Sequence, residues 1–220
     1  MSTRSLAAQF TQLQAERERS WPKEQLEKNA AQRRVLVERF DPTCRPGAGD
    51  KLAPFTLVDA DGQAVSSEAL LAKGPVVLVF FRFGGCPACN IALPYYNETL
   101  EPVLSAVGIP LLAVSAQVPV DKGPTERHGL RFPTFSDPDY ALGRTLALTF
   151  LPEDQPEVQP GQPWIGATLG TQSYEITEPA VVILESDHTI RFIEASPDWL
   201  VRTEAETVLA QLPEVAATVS

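Results

Sequence analysis

Cys86 and Cys89 are the residues of this sequence whose types and spacing are best suited to chemistry. They bound the segment Cys-Pro-Ala-Cys, which follows an apolar run typical of a strand and opens a segment with helical periodicity. The first turn of a helix has free N–H groups and a partial positive charge, which favour a thiolate. Cysteines in such motifs have pKa values of about 3.5–7.5. The motif therefore predicts a redox-active pair at a strand-to-helix junction.

Two neighbours are predicted to support the pair. Arg82 ends the strand and adds positive potential near the thiols, and Pro87 suits a first helical turn, where its missing N–H costs nothing. The alternatives are a structural pair without redox activity and half of a zinc site. A tetrahedral zinc site needs four ligands, but Cys44, His128 and His188 are not spaced as a second ligand pair. We therefore expect neither a metal nor an organic cofactor, and we interpret Cys44 as a free surface thiol.

Composition and charge narrow the class of protein. The chain has 220 residues, of which 44% are apolar and 21% charged, as is ordinary for a globular protein. A formal charge of −10 opposes contact with a phosphate backbone, so we expect no nucleic-acid partner. Three cysteines are too few for a secreted disulfide scaffold, and no signal segment or bilayer-length apolar run is visible. The expectation is a cytoplasmic protein without membrane contact.

Hydrophobic periodicity predicts an α/β chain around the motif. Residues 76–82 and 109–115 are continuous apolar runs, typical of strands that are buried on both faces of a sheet. Two shorter strands flank a hairpin signal at 61–62, and further strands are expected at 181–184 and 189–193. Helical segments separate most of these strands. The expected fold class is therefore α/β, with a central mixed sheet flanked by helices.

The chain is predicted to have three regions. Residues 1–48 form a helical N-terminal extension and a linker, residues 49–212 form the main domain, and residues 213–220 form a tail. Within the main domain, residues 151–178 are a long insertion without a clear period. The apolar stripe of the extension fits a helix packed on the body of the protein, which we favour because such stripes usually face a core. The alternative is an arm that forms a homodimer.

The segment around the cysteines resembles the active site of the thioredoxin-fold superfamily. The wider chain resembles the peroxiredoxin-like (AhpC/TSA, redoxin) group of that superfamily. The matching segments are Gly-Asp at 49–50, Ala-Pro-Phe-Thr-Leu at 53–57, Gly-Pro-Val-Val-Leu-Val-Phe-Phe-Arg at 74–82, Cys-Pro-Ala-Cys-Asn at 86–90, Val-Ser-Ala-Gln at 114–117, Phe-Pro-Thr-Phe-Ser-Asp at 132–137 and Pro-Ala-Val-Val-Ile at 179–183.

This resemblance implies a thioredoxin-like fold and a thiol-dependent oxidoreductase that cycles between a dithiol and a disulfide. It implies a thioredoxin- or glutathione-type electron donor and a disulfide or peroxide substrate. It also implies that Pro179 follows a cis peptide bond and faces the disulfide, whereas the ordinary alternative is a proline that starts a strand. A redox-sensing interaction module without turnover is the alternative of another class.

Two reactions remain open for the cysteines. In thioredoxin-like exchange, Cys86 is the exposed nucleophile and Cys89 is the buried resolving cysteine. In a peroxidase with the roles inverted, Cys89 becomes a sulfenic acid and Cys86 closes the disulfide. A peroxidase in which Cys86 reacts first is the third arrangement.

The peroxidase pattern of the family, Pro-x-x-x-Thr-x-x-Cys with a distant arginine, is not matched. If Cys89 is the reacting cysteine, Cys86 stands in place of the Thr and Arg82 in place of the Pro. No arginine stands at 178–179, where the resemblance places the distant one, although Arg82 or Arg144 could replace it. With Cys86 as the reacting cysteine, the Thr and Pro are also missing. The sequence therefore favours disulfide exchange over peroxide reduction.

Overall fold

The structure, a computed structural model, describes residues 4–118, 120 and 122–216. The helices are α1 Leu6–Ser20, α2 Lys23–Arg39, α3 Ser67–Leu71, α4 Cys89–Thr99, α5 Glu101–Ala106, α6 Gly123–His128, α7 Ala141–Thr145, α8 Ile165–Leu169, α9 Ala205–Leu209 and α10 Pro213–Ala216. The strands are β1 Thr56–Val58, β2 Ala64–Ser66, β3 Val76–Phe80, β4 Leu111–Ser115, β5 Thr134–Ser136, β6 Thr149–Phe150, β7 Ile176–Thr177, β8 Ala180–Leu184 and β9 Ile190–Ala195.

Seven strands form one mixed sheet in the order β2-β1-β5-β4-β3-β8-β9. The central strand β3 pairs in parallel with β4 and antiparallel with β8. Successive side chains of β3 alternate between the two faces, so Val77 and Val79 enter the core on the side of the cysteines while Leu78 enters the opposite core. The predicted central mixed sheet flanked by helices is confirmed.

The sheet places the cysteine segment at the carboxyl end of its central strand. β3 ends at Phe80, and α4 begins at Cys89 after a short turn. Every residue of β3 is buried, as expected for a β-branched and aromatic run that is covered on both faces. A loop that leaves such a strand is held by the sheet and opens onto the crevice where α/β proteins bind ligands.

The N-terminal extension packs on the body of the protein, which agrees with the interpretation we favoured. Leu6 and Phe10 of α1 are buried in the same apolar cluster as the two cysteines. The carboxylate of Glu204 accepts hydrogen bonds from the backbone N–H groups of Leu6 (3.0 Å) and Ala7 (2.9 Å). An acidic side chain at a helix N-terminus satisfies free N–H groups and the helix dipole. Glu204 therefore anchors the start of α1.

Several elements differ in extent from the sequence prediction. The helical segment after the cysteines divides into α4 and α5. The sequence pattern at 202–212 also predicts a helix, and the structure has only the shorter α9 at Ala205–Leu209. The predicted insertion contains α8 and β7, and β7 pairs with β6. Of the predicted tail, residues 213–216 form α10, and residues 217–220 lie outside the described part. Among the described residues, no helix is long and apolar enough to cross a membrane.

Candidate active site

The two cysteines lie in the turn that joins β3 to α4. The Cys86 N–H donates to the Phe83 carbonyl (3.1 Å), and the Asn90 N–H donates to the Cys86 carbonyl (3.0 Å). The second bond has the i to i−4 spacing of an α-helix, so the turn that holds Cys86 continues directly into α4. Cys89 is the first residue of that helix. The predicted strand-to-helix placement of the pair is therefore what the structure shows.

Both thiols are free, and both are buried. Cys86 is 3% exposed and Cys89 is 1% exposed. The expectation that Cys86 is an exposed nucleophile is therefore wrong. The reason is that α1 and Trp199 belong to the apolar cluster that encloses the two cysteines, and both are remote from the motif in sequence. Pro87, between the cysteines, is exposed, so this turn reaches the surface at the proline rather than at a thiol.

The sulfur of Cys89 receives two donors that Cys86 lacks. The backbone N–H of Arg82 lies 3.4 Å from Cys89 Sγ, and Nη2 of Arg202 lies 3.7 Å from the same atom. Burial opposes ionisation of Cys89, but a hydrogen bond from Cys86, the charge of Arg202 and the Arg82 N–H together hold the pKa of Cys89 well below its usual value. The site therefore stabilises a thiolate better at Cys89 than at Cys86.

The same contacts keep Cys86 protonated. Its hydrogen bond to Cys89, its burial and the negative charge of Cys89 raise the pKa of Cys86 well above the usual value, against the smaller effects of Arg82 and Arg202. Two thiols this close titrate as a pair, and the proton that they share resides on the one with fewer donors. This assignment inverts the roles expected for thioredoxin-like exchange, where the first cysteine is the thiolate.

Arg202 is the residue of the site that sequence analysis missed. It is 9% exposed, and its Nε donates to the Trp199 carbonyl (2.8 Å), which orients the guanidinium toward Cys89. The guanidinium of Arg82 stacks on the Trp199 ring at 4.3 Å from its centroid, a cation–π contact. Arg202 is separated from Cys89 by 113 positions and lies in no motif that we identified. The signal that could have found it is its place just beyond β9, near the edge where β3 ends.

The structure also gives the contacts of the other residues that were predicted to support the cysteines. Arg82 is at the site, and its backbone N–H contacts the sulfur directly. Arg144, considered as a substitute for the distant arginine, forms an ion pair with Glu175, and Arg202 is the arginine beside Cys89. Pro179 directly precedes β8, and its carbonyl accepts the Ser196 N–H (2.7 Å). The cis geometry of its peptide bond stays a prediction.

The turn before the cysteines is held by side chains of three other segments. The Asn90 amide donates to the carbonyls of Gly84 (2.8 Å) and Cys86 (2.9 Å). Arg127 donates to the Gly84 carbonyl (2.7 Å), and His128 Nε2 lies 2.8 Å from Asn90 Oδ1. Gln117 Oε1 accepts the Gly84 N–H (3.1 Å). These bonds fix the backbone that aims the two thiols.

The remaining cysteine is remote from this chemistry. Cys44 is exposed, as predicted, and its thiol donates to Asp41 (3.3 Å), a contact that raises the pKa of Cys44. Within the described ranges, no group of three or more His, Cys, Asp or Glu side chains is arranged to hold a metal ion.

Solved structures of peroxiredoxins share this fold. BcpB from Mycobacterium tuberculosis superposes with a TM-score of 0.57 at 17% identity, over 79% of this chain and 99% of that one. Reduced Prx3 from Vibrio vulnificus, solved with hydrogen peroxide, gives a TM-score of 0.57 at 21% identity, over 75% and 97% of the two chains. These similarities confirm the predicted thioredoxin-like fold. The fold class is therefore that of the thioredoxin-like peroxiredoxin structures.

The family model described as AhpC/TSA matches residues 48–193, which are most of the chain. The chain belongs to the AhpC/TSA family, and the predicted family is confirmed. A protein of Mycobacterium tuberculosis (strain H37Rv) that is named as a peroxiredoxin, Rv2521, is 34% identical over 99 residues. The match covers 44% of this chain and 61% of that relative, which is less than two thirds of its length.

Proposed function

We propose that this protein is a thiol peroxidase in which Cys89 attacks the peroxide and Cys86 resolves the product. One observation carries the proposal: both the Arg202 guanidinium and the Arg82 N–H are directed at the sulfur of Cys89. The sequence favoured disulfide exchange because the Thr, the Pro and the distant arginine of the peroxidase pattern were all missing. Arg202 supplies a buried arginine beside Cys89, which answers the missing arginine, while Cys86 still occupies the position of the Thr.

The reaction follows from the two protonation states. The Cys89 thiolate attacks one peroxide oxygen and the O–O bond breaks, so Cys89 becomes a sulfenic acid and the other oxygen leaves, after protonation, as an alcohol or water. The Cys86 sulfur then attacks the sulfenic sulfur, a disulfide forms and water is released. The two thiols have lost two electrons and two protons, and the peroxide has gained them.

In this mechanism Arg202 stabilises negative charge both before the reaction and in its transition state. Before the reaction, Arg202 stabilises the thiolate, and it is close enough to donate to the oxygen that accumulates charge as the O–O bond breaks. Donors aimed at developing charge in a buried site contribute about 2.7–4 kcal/mol each. The bond to the Trp199 carbonyl orients the Arg202 guanidinium, and Arg82 stacks on the ring of the same residue. Among the described residues, neither guanidinium forms an ion pair with a carboxylate.

A thiol donor must then reduce the disulfide. Pro87 and Gly85 are the exposed residues on either side of the buried Cys86, so a thioredoxin- or glutathione-type donor is proposed to approach on this face. Residues 49–212 would form the catalytic domain, with residues 1–48 as an extension that covers the thiols and residues 151–178 as an insertion. We propose that the protein acts in the cytoplasm, where such donors keep thiols reduced.

Stopped-flow mixing of the reduced protein with hydrogen peroxide, and separately with a small disulfide, tests this function. We expect oxidation by peroxide to be the faster reaction by at least about 100-fold, because one oriented donor at the transition state contributes a factor of about 100 to 1,000. Thioredoxin-like exchange would give the opposite order. A redox-sensing module would oxidise once and show no turnover with any added thiol donor.

A further inference from the structure

The N-terminal extension brings a further arginine to the buried site. Arg17 lies on α1 at the helical spacing of Leu6, Phe10 and Leu13, so it shares the face that packs on the cysteine cluster. Arg17 is 6% exposed, and its guanidinium stacks on the Trp21 ring at 4.7 Å from the centroid. This residue lies outside the segment that matches the family model.

The charges around the cysteines act on Arg17. Burial lowers the pKa of Arg17, the negative charge of Cys86 acts against this effect, and the positive charges of Arg33 and Arg82 add to it. Arg17 therefore interacts electrostatically with Cys86 and with Arg82, from the face of α1 that packs on the cysteine cluster. Because α1 is anchored by Glu204 at its start, the position of Arg17 is part of the fold rather than a chance approach of a surface side chain.

Two guanidinium groups at the site have buried N–H groups without a partner. Arg17 Nη1 and Arg82 Nε are both buried and form no hydrogen bond with any part of the chain that is described. Neither side chain, nor that of Arg202, forms an ion pair with a described carboxylate. A buried cation without a counter-ion is costly, and an unpaired buried N–H adds to that cost.

The nearby carboxylates of Asp198 and Glu204 already form hydrogen bonds with other groups. Asp198 is held by two parallel hydrogen bonds from Arg33, at 2.6 and 2.7 Å. Glu204 caps α1 and accepts the hydroxyl of Tyr95 (2.7 Å). The Cys89 thiolate balances one of the arginines, which leaves a positive site beside the thiols that an anion would complete.

We propose that Arg17 and Arg82 form a binding site for a carboxylate of the substrate, so that the preferred oxidant is an organic hydroperoxide that carries a negative charge. This inference rests on the proposed peroxidase function and specifies its substrate class. The carboxylate satisfies the two orphaned N–H groups, and it holds the peroxide beside Cys89. The extension thereby contributes a substrate-binding residue that the catalytic domain lacks.

Binding is measured first, without any peroxide. The probe is a derivative of tert-butanol that carries a carboxylate. It is the alcohol formed when the corresponding charged hydroperoxide is reduced. Tert-butanol itself is the neutral control. Calorimetric titration of the reduced, full-length protein should show that the carboxylate alcohol binds and that tert-butanol does not. Arg17→Gln should weaken binding by at least about tenfold, the value of one hydrogen bond to a charged group, and Arg17→Lys should restore part of it.

Arg19→Gln is the matched control, since Arg19 is an exposed arginine on the same helix. It removes the same charge and should leave binding unchanged. Thermal unfolding of each variant shows whether the extension remains docked. Absence of binding to the wild-type protein, equal binding of both alcohols, or equal loss in the two glutamine variants would each overturn the inference.

Kinetics with the matched pair of hydroperoxides separates this inference from the proposed function. In Arg17→Gln, the rate with the charged hydroperoxide should fall at least about tenfold more than the rate with tert-butyl hydroperoxide. Equal falls for both peroxides would refute the carboxylate site while the peroxidase stands. If no peroxide oxidises wild-type Cys89 but the carboxylate alcohol still binds through Arg17, the peroxidase is refuted and the anion site stands.

Discussion

Cys89→Ser is expected to abolish the reaction with peroxide, whereas Cys86→Ser is expected to consume one equivalent and then stop. Cys89 is the sulfur with two donors and a lowered pKa, so its loss removes the nucleophile. In the proposed mechanism Cys86 reacts only after the sulfenic acid has formed, so its loss removes only the second step. The expected fall for Cys89→Ser is to the rate of the uncatalysed thiol reaction.

The measurement is peroxide consumed per protein in the absence of a thiol donor, followed in the first seconds after mixing. Cys44→Ser is the control, because Cys44 is exposed and bound to Asp41, away from the pair. It should match the wild-type protein. If Cys86→Ser were inactive and Cys89→Ser consumed one equivalent, the two roles would be reversed and Cys86 would be the attacking cysteine.

Arg202→Met is expected to slow the oxidation of Cys89 by about 100- to 1,000-fold, the usual effect of removing one oriented donor from a buried site. It should also move the pH profile. Without the positive charge of Arg202, the pKa of Cys89 rises toward its usual value, so less thiolate is present at neutral pH. The rate should then increase with pH over a range in which the wild-type rate is already constant.

Arg34→Met makes the same chemical change at an exposed position of α2 and should alter neither the rate nor its pH dependence. Arg202→Lys keeps the charge without the planar fork, so it should recover part of the rate. A slow variant whose pH profile coincides with that of the wild-type protein would show that Arg202 supports packing around Trp199 rather than the thiolate.

The sequence predicted well what depends on local pattern. The continuous apolar run of β3 and the change of period after Cys89 both follow from the alternation of buried and exposed positions over a few residues. These two features placed the cysteines at a strand-to-helix junction. The hairpin of β1 and β2 was found in the same way, because its turn requires particular residues.

The features that the sequence did not predict depend on contacts between distant segments of the chain. Arg202 reaches the sulfur of Cys89 because the segment after β9 returns to the cysteines, and Arg17 joins the site because α1 packs on the same apolar cluster. No spacing rule connects residues so far apart in sequence. The burial of Cys86 has the same origin. The preference for disulfide exchange followed in part from these missing contacts, because no arginine was expected beside the cysteines at a position as distant as Arg202.

The most direct test of the central claim is to locate the first oxidised sulfur in the wild-type protein. The reduced protein is mixed with one equivalent of peroxide in the presence of dimedone, which traps sulfenic acids, and the labelled peptide is sequenced by mass spectrometry. The account predicts dimedone on Cys89, together with a fraction of protein that has lost two hydrogens through a Cys86–Cys89 disulfide. Dimedone on Cys86, with Cys89 unlabelled, would contradict it.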